Sequence, residues 1–217
     1  MKLVKKSPRY LISGLYAITP DELNTAELLR KVRLVLQGGA RVLQYRNKLD
    51  DGELRLVQTN ALRKLTKEFG ATFIINDDAR LAWQVNADGV HLGSGDGSVV
   101  EARKLLGGDK KIGVSCYNRL ELAHLAVQQG ANYVAFGAFF PSSVKPDAPV
   151  VTLELLLQAR SELNVQIVAI GGIDLQNGRQ LIEVGADALA VISAVFGATD
   201  IQQATQQFST LFSERTT

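Results

Sequence analysis

The stretch Leu120–Phe136, LELAHLAVQQGANYVAF, contains the pattern that decides the fold. Its first part has apolar residues at helical spacing, and its last part is a short, nearly continuous apolar run. The pair Gly130-Ala131 separates the two parts, and glycine suits the end of a helix because it tolerates left-handed backbone angles. The stretch therefore predicts a helix over Leu120–Gln129 followed by a buried strand over Asn132–Phe136.

The same succession recurs along the whole chain, and Gly39-Ala40 and Gly185-Ala186 also stand between a helical pattern and a strand. Nearly continuous apolar runs are typical of parallel strands that are covered on both faces. The predicted strands are Gly14–Thr19, Ala40–Arg46, Thr72–Asn76, Gly89–Leu92, Lys111–Ser115, Asn132–Phe136, Gln166–Ile170 and Ala188–Ile192. The other predicted helices are Thr25–Gln37, Glu53–Phe69, a short one near Ala79–Val85, and Thr152–Leu163.

Eight strands that alternate with helices predict an α/β fold of the TIM (β/α)8 barrel type. An open doubly wound sheet is the alternative, although it usually needs fewer strands. No linker or low-complexity segment divides the 217 residues. We therefore expect a single catalytic barrel domain over residues 14–217, preceded by a basic extension over residues 1–13.

The composition excludes several classes of function. The formal net charge is only +2, so we expect no nucleic-acid partner and no anionic membrane partner. A lone cysteine, Cys116, excludes an intrachain disulfide and a multi-cysteine metal site. Because the sequence shows neither a run of 18 apolar residues nor a signal-peptide pattern, we expect a cytoplasmic protein. The sequence leaves a homodimer open.

In barrels of this type the active site lies at the C-terminal ends of the strands. Gln44, Arg46 and Lys48 follow the second predicted strand, and alternation places them on one side of an extended segment. An amide and two cations suit a multiply charged phosphate. A solvated loop edge is the alternative interpretation.

Two carboxylates follow the third and fourth strands. Asp77 and Asp96 come from neighbouring strand ends and are expected to approach each other. Mg²⁺ commonly uses such carboxylates together with substrate phosphate oxygens. For Asp78 we expect a helix-capping role instead. Paired carboxylates also occur in glycoside hydrolases, but the surrounding cations and glycines favour phosphate chemistry.

The fifth strand ends at Ser115 and Cys116. The Ser115 hydroxyl is a candidate donor to a phosphate. Nothing in the sequence identifies a base beside Cys116, so we do not expect it to be a nucleophile. We expect His91 to pack or hydrogen-bond locally at the fourth strand end, and His124 to be structural.

The sixth strand runs into a long loop, and long loops in compact domains often bind ligands. Within this loop, Ser142, Ser143 and Lys145 are residue types that bind anions, although a surface loop with incidental polarity is the alternative. The sequence thus favours a diphosphate site with Mg²⁺ that includes Lys145.

A second anion site is predicted after the seventh and eighth strands. Loops in these positions frequently bind a phosphate through backbone N–H groups. Gly171 and Gly172 have no side chains that would block the approach of a ligand to the backbone. We expect Gly172, Ile192 and Ser193 to bind a monophosphate. Neither a dinucleotide fingerprint nor a Walker-type loop is present.

These strand-end residues resemble the thiamine-phosphate synthase family, and the resemblance extends from Gly14 to Ala194. The segments that carry it appear in the family's order. They are Gln44-x-Arg46-x-Lys48, Asn76-Asp77, His91-Leu92-Gly93-x-x-Asp96, Phe140-Pro141-x-x-x-Lys145 and Ile170-Gly171-Gly172-Ile173.

The resemblance implies a TIM barrel that joins hydroxymethylpyrimidine diphosphate to a thiazole phosphate and releases pyrophosphate. It implies that Mg²⁺ is held by Asp77 and Asp96. The implied pyrimidine diphosphate contacts are Gln44, Tyr45, Arg46, Asn47, Lys48, Asn76, Ser115 and Lys145, of which Arg46, Lys48, Ser115 and Lys145 are the implied catalytic residues. The implied thiazole phosphate contacts are Ser142, Ser143, Val144, Gly172, Ile192 and Ser193.

The chain departs from the family where Ser94 replaces a frequent glutamine, and where Ser142 and Val144 replace frequent threonines. Two alternatives stay open at this point. A related thiazole tautomerase would act on the thiazole phosphate alone, and a non-catalytic barrel would bind a phosphate ligand without turnover.

Overall fold

A computed structural model of the chain describes residues 12–49, 51–141 and 150–213. Within them, eight parallel strands form a closed barrel in which each strand pairs with its neighbours in sequence and β8 pairs with β1. The strands are β1 (Gly14–Ile18), β2 (Val42–Tyr45), β3 (Thr72–Asn76), β4 (Gly89–Leu92), β5 (Lys111–Tyr117), β6 (Tyr133–Phe136), β7 (Gln166–Ile170) and β8 (Ala188–Val191). The helices are α1 (Thr25–Gln37), α2 (Gly52–Phe69), α3 (Ala79–Gln84), α4 (Val99–Leu106), α5 (Leu120–Gln128), α6 (Leu153–Glu162), α7 (Gly178–Val184), α8 (Ser193–Phe196) and α9 (Ile201–Ser213).

The prediction of a TIM barrel is confirmed, and the open doubly wound sheet is excluded by the closure of β8 onto β1. Every predicted strand is present, and β5 alone extends well beyond its predicted end, because an irregularity between Ser115 and Tyr117 lets pairing with β6 continue. The sequence analysis did not specify four helices. These are α4, α7, α8 and α9.

The glycines that precede three of the strands have the expected backbone conformation. Gly39, Gly130 and Gly185 have positive φ angles of 100°, 96° and 125°. Residues with a Cβ rarely adopt such angles, so glycine lets each helix end and the chain turn directly into the next strand.

The interior of the barrel forms its own small apolar core, separate from the larger core between strands and helices. Tyr16, Ile74, Tyr133 and Val168 are among its fully or nearly fully buried members. The ring of Tyr133 occupies the space that a side chain at Gly113 would need, since a Cβ there would overlap the ring. This glycine therefore allows an aromatic side chain to reach the barrel axis.

The N-terminal face of the barrel carries a repeated polar arrangement. The residues directly before β4, β6 and β8 are Asp88, Asn132 and Asp187. Each accepts a hydrogen bond from the backbone N–H of the second residue of the preceding odd-numbered strand. The donors are Phe73 at 2.9 Å, Ile112 at 2.8 Å and Ile167 at 2.8 Å.

An arginine from the helix that precedes the odd-numbered strand completes each arrangement. Arg63 of α2 donates to Asp88 at 2.7 Å, Arg103 of α4 to Asn132 at 2.7 Å, and Arg160 of α6 to Asp187 at 2.9 Å. We call these three pairs the arginine clamps. Each fastens one helix and two strands together at the face opposite the predicted active site. In the described part of the chain, no helix is long and apolar enough to cross a membrane.

Candidate active site

Three charged side chains meet at the C-terminal mouth of the barrel. The Lys48 ammonium lies 2.5 Å from Oδ2 of Asp77. Asp77 has a left-handed backbone with a φ of 66°, and its N–H donates to the carbonyl of His91 at 2.7 Å. A non-glycine residue in this conformation is uncommon and often marks a functional position. Asp96 is held by the N–H of Gly93, which donates to its Oδ2 at 2.7 Å.

The carboxyl groups of Asp77 and Asp96 lie close enough to influence each other's pKa, as expected for neighbouring strand ends. Burial opposes the charge of Asp77, but the hydrogen bonds from the Lys48 ammonium and Asp96 outweigh burial and lower its pKa. Burial and the Asp77 carboxylate raise the pKa of Asp96. Two carboxylates thus share one ammonium group, which is the arrangement that an additional cation would stabilise.

The Arg46 side chain lies at the same mouth but pairs with a different carboxylate. Its Nη1 is 3.3 Å from Oδ2 of Asp21 in the loop after β1. The same Asp21 accepts the backbone N–H of Lys48 at 2.8 Å, so it connects the loop after β1 to the loop after β2. The sequence analysis missed Asp21, although its place just after the first strand is a signal that could have identified it.

Tyr45 and Asn47 lie on the opposite side of this segment from Gln44 and Lys48, as alternation requires. The Tyr45 hydroxyl donates to Oε1 of Gln58 in α2 at 2.8 Å, and the Asn47 amide donates to the same atom at 3.3 Å. Both side chains thus contact helix α2. Asn47 also lines the cavity that Lys48 and Asp77 line, whereas Tyr45 does not. The implied contact of both residues with substrate stays a prediction.

A chain of hydrogen bonds crosses the barrel interior just below the mouth. It connects Gln44 of β2 to Tyr16 at 2.8 Å, Tyr16 to Tyr133 at 2.9 Å, Tyr133 to His91 Nδ1 at 3.1 Å, and His91 Nε2 to Ser115 of β5 at 2.9 Å. We call these five residues the interior chain. It joins two predicted substrate-binding residues through three side chains that the sequence analysis did not assign to the site.

The expectation for His91 was wrong in one respect, because its partners are not local. They are 42 and 24 residues away in the sequence, on β6 and β5. Burial lowers the pKa of His91 to about 4, so the imidazole is neutral at physiological pH. Polar side chains inside otherwise apolar strands were the available signal for Tyr16 and Tyr133.

The loops after β6 and β7 are joined at the mouth. The backbone N–H of Phe140 donates to the carbonyl of Gly171 at 3.1 Å. Gly172 has a φ of 62°, and a Cβ there would lie 2.5 Å from the carbonyl oxygens of both Phe140 and Pro141. The sequence analysis explained this glycine by the approach of a phosphate. The structure adds a different reason, because the loop after β6 occupies the space beside it.

The end of β8 leads directly into the short helix α8. The carbonyl of Ile192 accepts the first bonds of this helix, from Val195 and Phe196. The N–H groups at the start of a helix have no partner within it. Ser193 stands there and is exposed. The predicted site residues Ser142, Ser143, Val144 and Lys145 lie outside the described residues.

Three further residues were given roles outside the site, and the capping role of Asp78 is confirmed. Cys116 is buried, and burial raises its pKa to about 12, which makes it unsuitable as a nucleophile. Asp78 caps α3 by accepting the N–H of Leu81 at 2.8 Å. His124 lies at the surface, 2.7 Å from Glu162.

A closed TIM barrel whose mouth combines paired carboxylates with lysine and arginine is typical of an enzyme that acts on phosphorylated small molecules. The family model described as thiamine monophosphate synthase matches residues 15–195. The chain belongs to this family.

Relatives of known identity cover nearly the whole chain. The chain is 54% identical over 201 residues to a thiamine-phosphate synthase of Methylobacillus flagellatus, which covers 93% of this chain and 96% of that relative. It is 49% identical over 210 residues to a thiamine-phosphate synthase of Acidithiobacillus ferrooxidans, and the match covers 95% of this chain and 97% of that relative. Among solved structures, thiamine phosphate pyrophosphorylase from Pyrococcus furiosus matches with a TM-score of 0.87 and 36% identity, covering 97% of this chain and all of that one.

Proposed function

We propose that the barrel mouth catalyses the family's coupling reaction, in which a hydroxymethylpyrimidine diphosphate and a thiazole phosphate give thiamine phosphate and pyrophosphate. Family membership and relatives with about half of their residues identical support the reaction itself. The observation that carries the assignment of the site is the contact of Lys48, Asp77 and Asp96 at the strand ends.

The diphosphate binds beside these groups. Lys48 and Arg46 already lie against carboxylates at the mouth and can turn toward a more highly charged anion. Asn76 precedes Asp77 at the end of β3 and supplies an amide. Ser115 supplies a hydroxyl to the pyrimidine part of the same substrate, and Lys145 adds a third cation from the loop after β6. The diphosphate thus meets three cations and the amide of Asn76.

Asp77 and Asp96 hold a Mg²⁺ ion in this proposal. Both offer hard carboxylate oxygens, and the described residues balance them with the single ammonium group of Lys48. The ion, when bound, supplies positive charge to the phosphate oxygens of the leaving diphosphate. Two carboxylates fit magnesium well, because this ion usually keeps waters and substrate oxygens as its other ligands.

The thiazole phosphate occupies the second anion site, at the ends of β7 and β8. Backbone groups of Gly172, Ile192 and Ser193 bind its phosphate, and Ser142, Ser143 and Val144 line it from the loop after β6. Hydrogen bonds from Phe139 to Ile170 and from Phe140 to Gly171 join the segments after β6 and β7. Both substrates then lie in one mouth, which removes much of the entropic barrier to their meeting.

The bond changes need no protein nucleophile. The C–O bond between the pyrimidine methylene and the diphosphate breaks, and its electron pair leaves with the diphosphate. The aminopyrimidine ring stabilises the positive charge that remains on the methylene carbon. The lone pair of the thiazole nitrogen then forms the new C–N bond. Lys48, Arg46 and Lys145 stabilise the leaving group as its charge develops.

A pyrophosphate-release assay tests this function directly. The protein is incubated with Mg²⁺ and with each substrate alone or with both, and thiamine phosphate is measured alongside pyrophosphate. We expect both products only when both substrates are present, and substitution of Lys145 by alanine should lower turnover strongly. Isomerisation of a thiazole phosphate without pyrophosphate release would instead identify a tautomerase, and ligand binding without turnover would identify a non-catalytic barrel.

The partners and location follow from the same proposal. Both substrates are small molecules, and neither nucleic acid nor a membrane takes part. The proposed location is the cytoplasm, where phosphorylated substrates are retained. A homodimer is compatible with this function, and sedimentation of the purified protein tests it.

A further inference from the structure

We propose that Tyr16, Tyr133 and His91 give the interior chain a fixed direction, which makes Ser115 a hydrogen-bond donor toward the substrate. They act through Gln44 and Ser115 and are positioning residues for the reaction. The identity of the substrate rests on the proposed function, whereas the direction of the chain rests on geometry alone.

The direction starts at the amide of Gln44. Its Nε2 donates to the Tyr16 hydroxyl at 2.8 Å, because an amide nitrogen has no capacity to accept. The Tyr16 hydroxyl, which is 1% exposed, then needs an acceptor for its own hydrogen. Within the described residues, the only other group hydrogen-bonded to it is the Tyr133 hydroxyl, at 2.9 Å. Tyr16 therefore donates to Tyr133.

The same reasoning continues to the other side of the barrel. Tyr133, having accepted from Tyr16, donates to Nδ1 of His91 at 3.1 Å. Both ring nitrogens of His91 face hydroxyl groups and the residue is buried, so the ring is neutral and carries one proton. Because Nδ1 accepts, that proton lies on Nε2. Nε2 then donates to Ser115 Oγ at 2.9 Å.

With Nε2 of Gln44 facing Tyr16, the opposite direction is inconsistent with the contacts. If Ser115 donated to His91, then His91 would donate to Tyr133, and Tyr133 would donate to Tyr16. The Tyr16 oxygen would receive two donors while its own hydrogen, fully buried, had no acceptor among the described residues. A buried hydroxyl without an acceptor is unfavourable, so the structure assigns the first direction.

The direction determines which atoms Gln44 and Ser115, the two ends of the interior chain, present to a ligand. Ser115 accepts from His91, so its own hydrogen is left to point at an acceptor on the ligand. Gln44 has its Nε2 committed to Tyr16, so Oε1 is the atom left to accept from a donor on the ligand. An aminopyrimidine offers both complements, because its ring nitrogens accept and its amino group donates. The interior chain thus matches the hydrogen-bonding pattern of the substrate ring.

The position of the His91 proton can be measured without any assay of activity. The chain has only two histidines, so an untagged, ¹⁵N-histidine-labelled protein gives two sets of ring signals, and His124→Gln assigns them. At pH 7.5, long-range ¹H–¹⁵N correlation should show His91 with its proton on Nε2 alone. Tyr133→Phe should convert this into a mixture of both tautomers. A proton on Nδ1 in the parent protein, or an unchanged single tautomer in Tyr133→Phe, would overturn the proposal.

A double-mutant cycle tests whether the chain acts through Ser115. We expect Tyr133→Phe to lower kcat about tenfold and to leave the KM for the thiazole phosphate within about twofold, because the second anion site is untouched. In a Ser115→Ala background the same change should have no further effect, since the atom that it orients is gone. Losses that add in the double variant would overturn the proposal.

Thr205→Val is the matched control for loss of a buried hydroxyl. Thr205 is fully buried, and its hydroxyl donates to the carbonyl of Ile201 at 2.7 Å in α9, outside the barrel. We expect kcat to be unchanged in this variant. If the parent protein released no pyrophosphate with both substrates, the proposed function would fail, while the tautomer measurement would still decide the direction of the chain.

Discussion

The two faces of the barrel differ in how their charged side chains are paired. On the N-terminal face, the Asp88 carboxylate meets both a backbone N–H and an arginine, and the paired side chains are only 13% and 15% exposed. At the mouth, Asp77 and Asp96 contact each other and share Lys48, whose side chain is 56% exposed. On the N-terminal face the carboxylate has its own arginine, whereas at the mouth two carboxyl groups lie beside one ammonium group.

This difference separates stability from function. In a clamp, the arginine and its acceptor are paired with each other, which lowers the free energy of the folded state. The crowded carboxyl groups at the mouth are kept in place by the fold, and in the proposed function a cation and a phosphate stabilise them. Changes at the mouth should therefore reduce activity, and changes at the clamps should reduce stability. The predictions below test that division, beginning with the largest effect.

The largest effect is expected at Asp77. Asn is the appropriate replacement, because it keeps the shape of the side chain and tolerates the left-handed backbone at this position. Removing the charge takes away one proposed Mg²⁺ ligand, and we expect kcat/KM to fall by about 100-fold or more. Steady-state kinetics at several Mg²⁺ concentrations measures it. A variant with parent kinetics at all of them would contradict the metal role.

The next effect concerns the clamps. Arg63→Met leaves Asp88 without its cation, and because this pair is mostly buried we expect a loss of about 3 kcal/mol in the free energy of unfolding. Urea denaturation measures it, and kcat should stay unchanged. Arg33→Met is the matched control, since Arg33 and Glu68 form an exposed pair at 2.7 Å that should contribute little to stability. Equal losses in the two variants would remove the distinction.

The sequence predicted the fold more completely than the site, for a physical reason. Continuous apolar runs, helical spacing and the glycine turns are local signals, so the barrel and most element boundaries follow from them, as at Gly130. The approach of Asp77 and Asp96 could also be predicted, because strand ends in a barrel converge. The clamps and the interior chain were not, since Arg63 meets Asp88 and Tyr16 meets Tyr133 only after the barrel has closed.

A pH experiment extends the comparison to the interior. His91 has a pKa of about 4 when folded, below the ordinary value of 6.5, so the unfolded chain binds the proton more readily. Stability is therefore complete above pH 6.5 and falls as the pH approaches 4. We expect a loss of about 2 kcal/mol between pH 6.5 and pH 5 from this residue.

Urea denaturation at several pH values measures that loss. Other acidic groups contribute to acid instability, so the parent is compared with His91→Gln, whose stability should change less over the same range. His124→Gln is the control, because this exposed histidine should leave the pH profile of the parent intact. Parallel profiles for the parent and His91→Gln would show that the buried imidazole does not govern this pH range.

The smallest expected effect is the loss of stability on removing the Asp78 carboxylate. It allows the most direct comparison, because Asp78 is the residue next to Asp77. Asp78 accepts the N–H of Leu81 at 2.8 Å and is a helix cap, so Asp78→Ala should cost about 1 kcal/mol of stability and leave kcat within about twofold. Asp78→Asn should restore most of that stability, since asparagine also caps helices well. Asp77→Asn should show the reverse, with stability retained and turnover lost. Of two adjacent carboxylates, Asp78 would then support stability and Asp77 would support turnover. A large loss of turnover in Asp78→Asn would show that stability and activity are not divided in this way at this strand end.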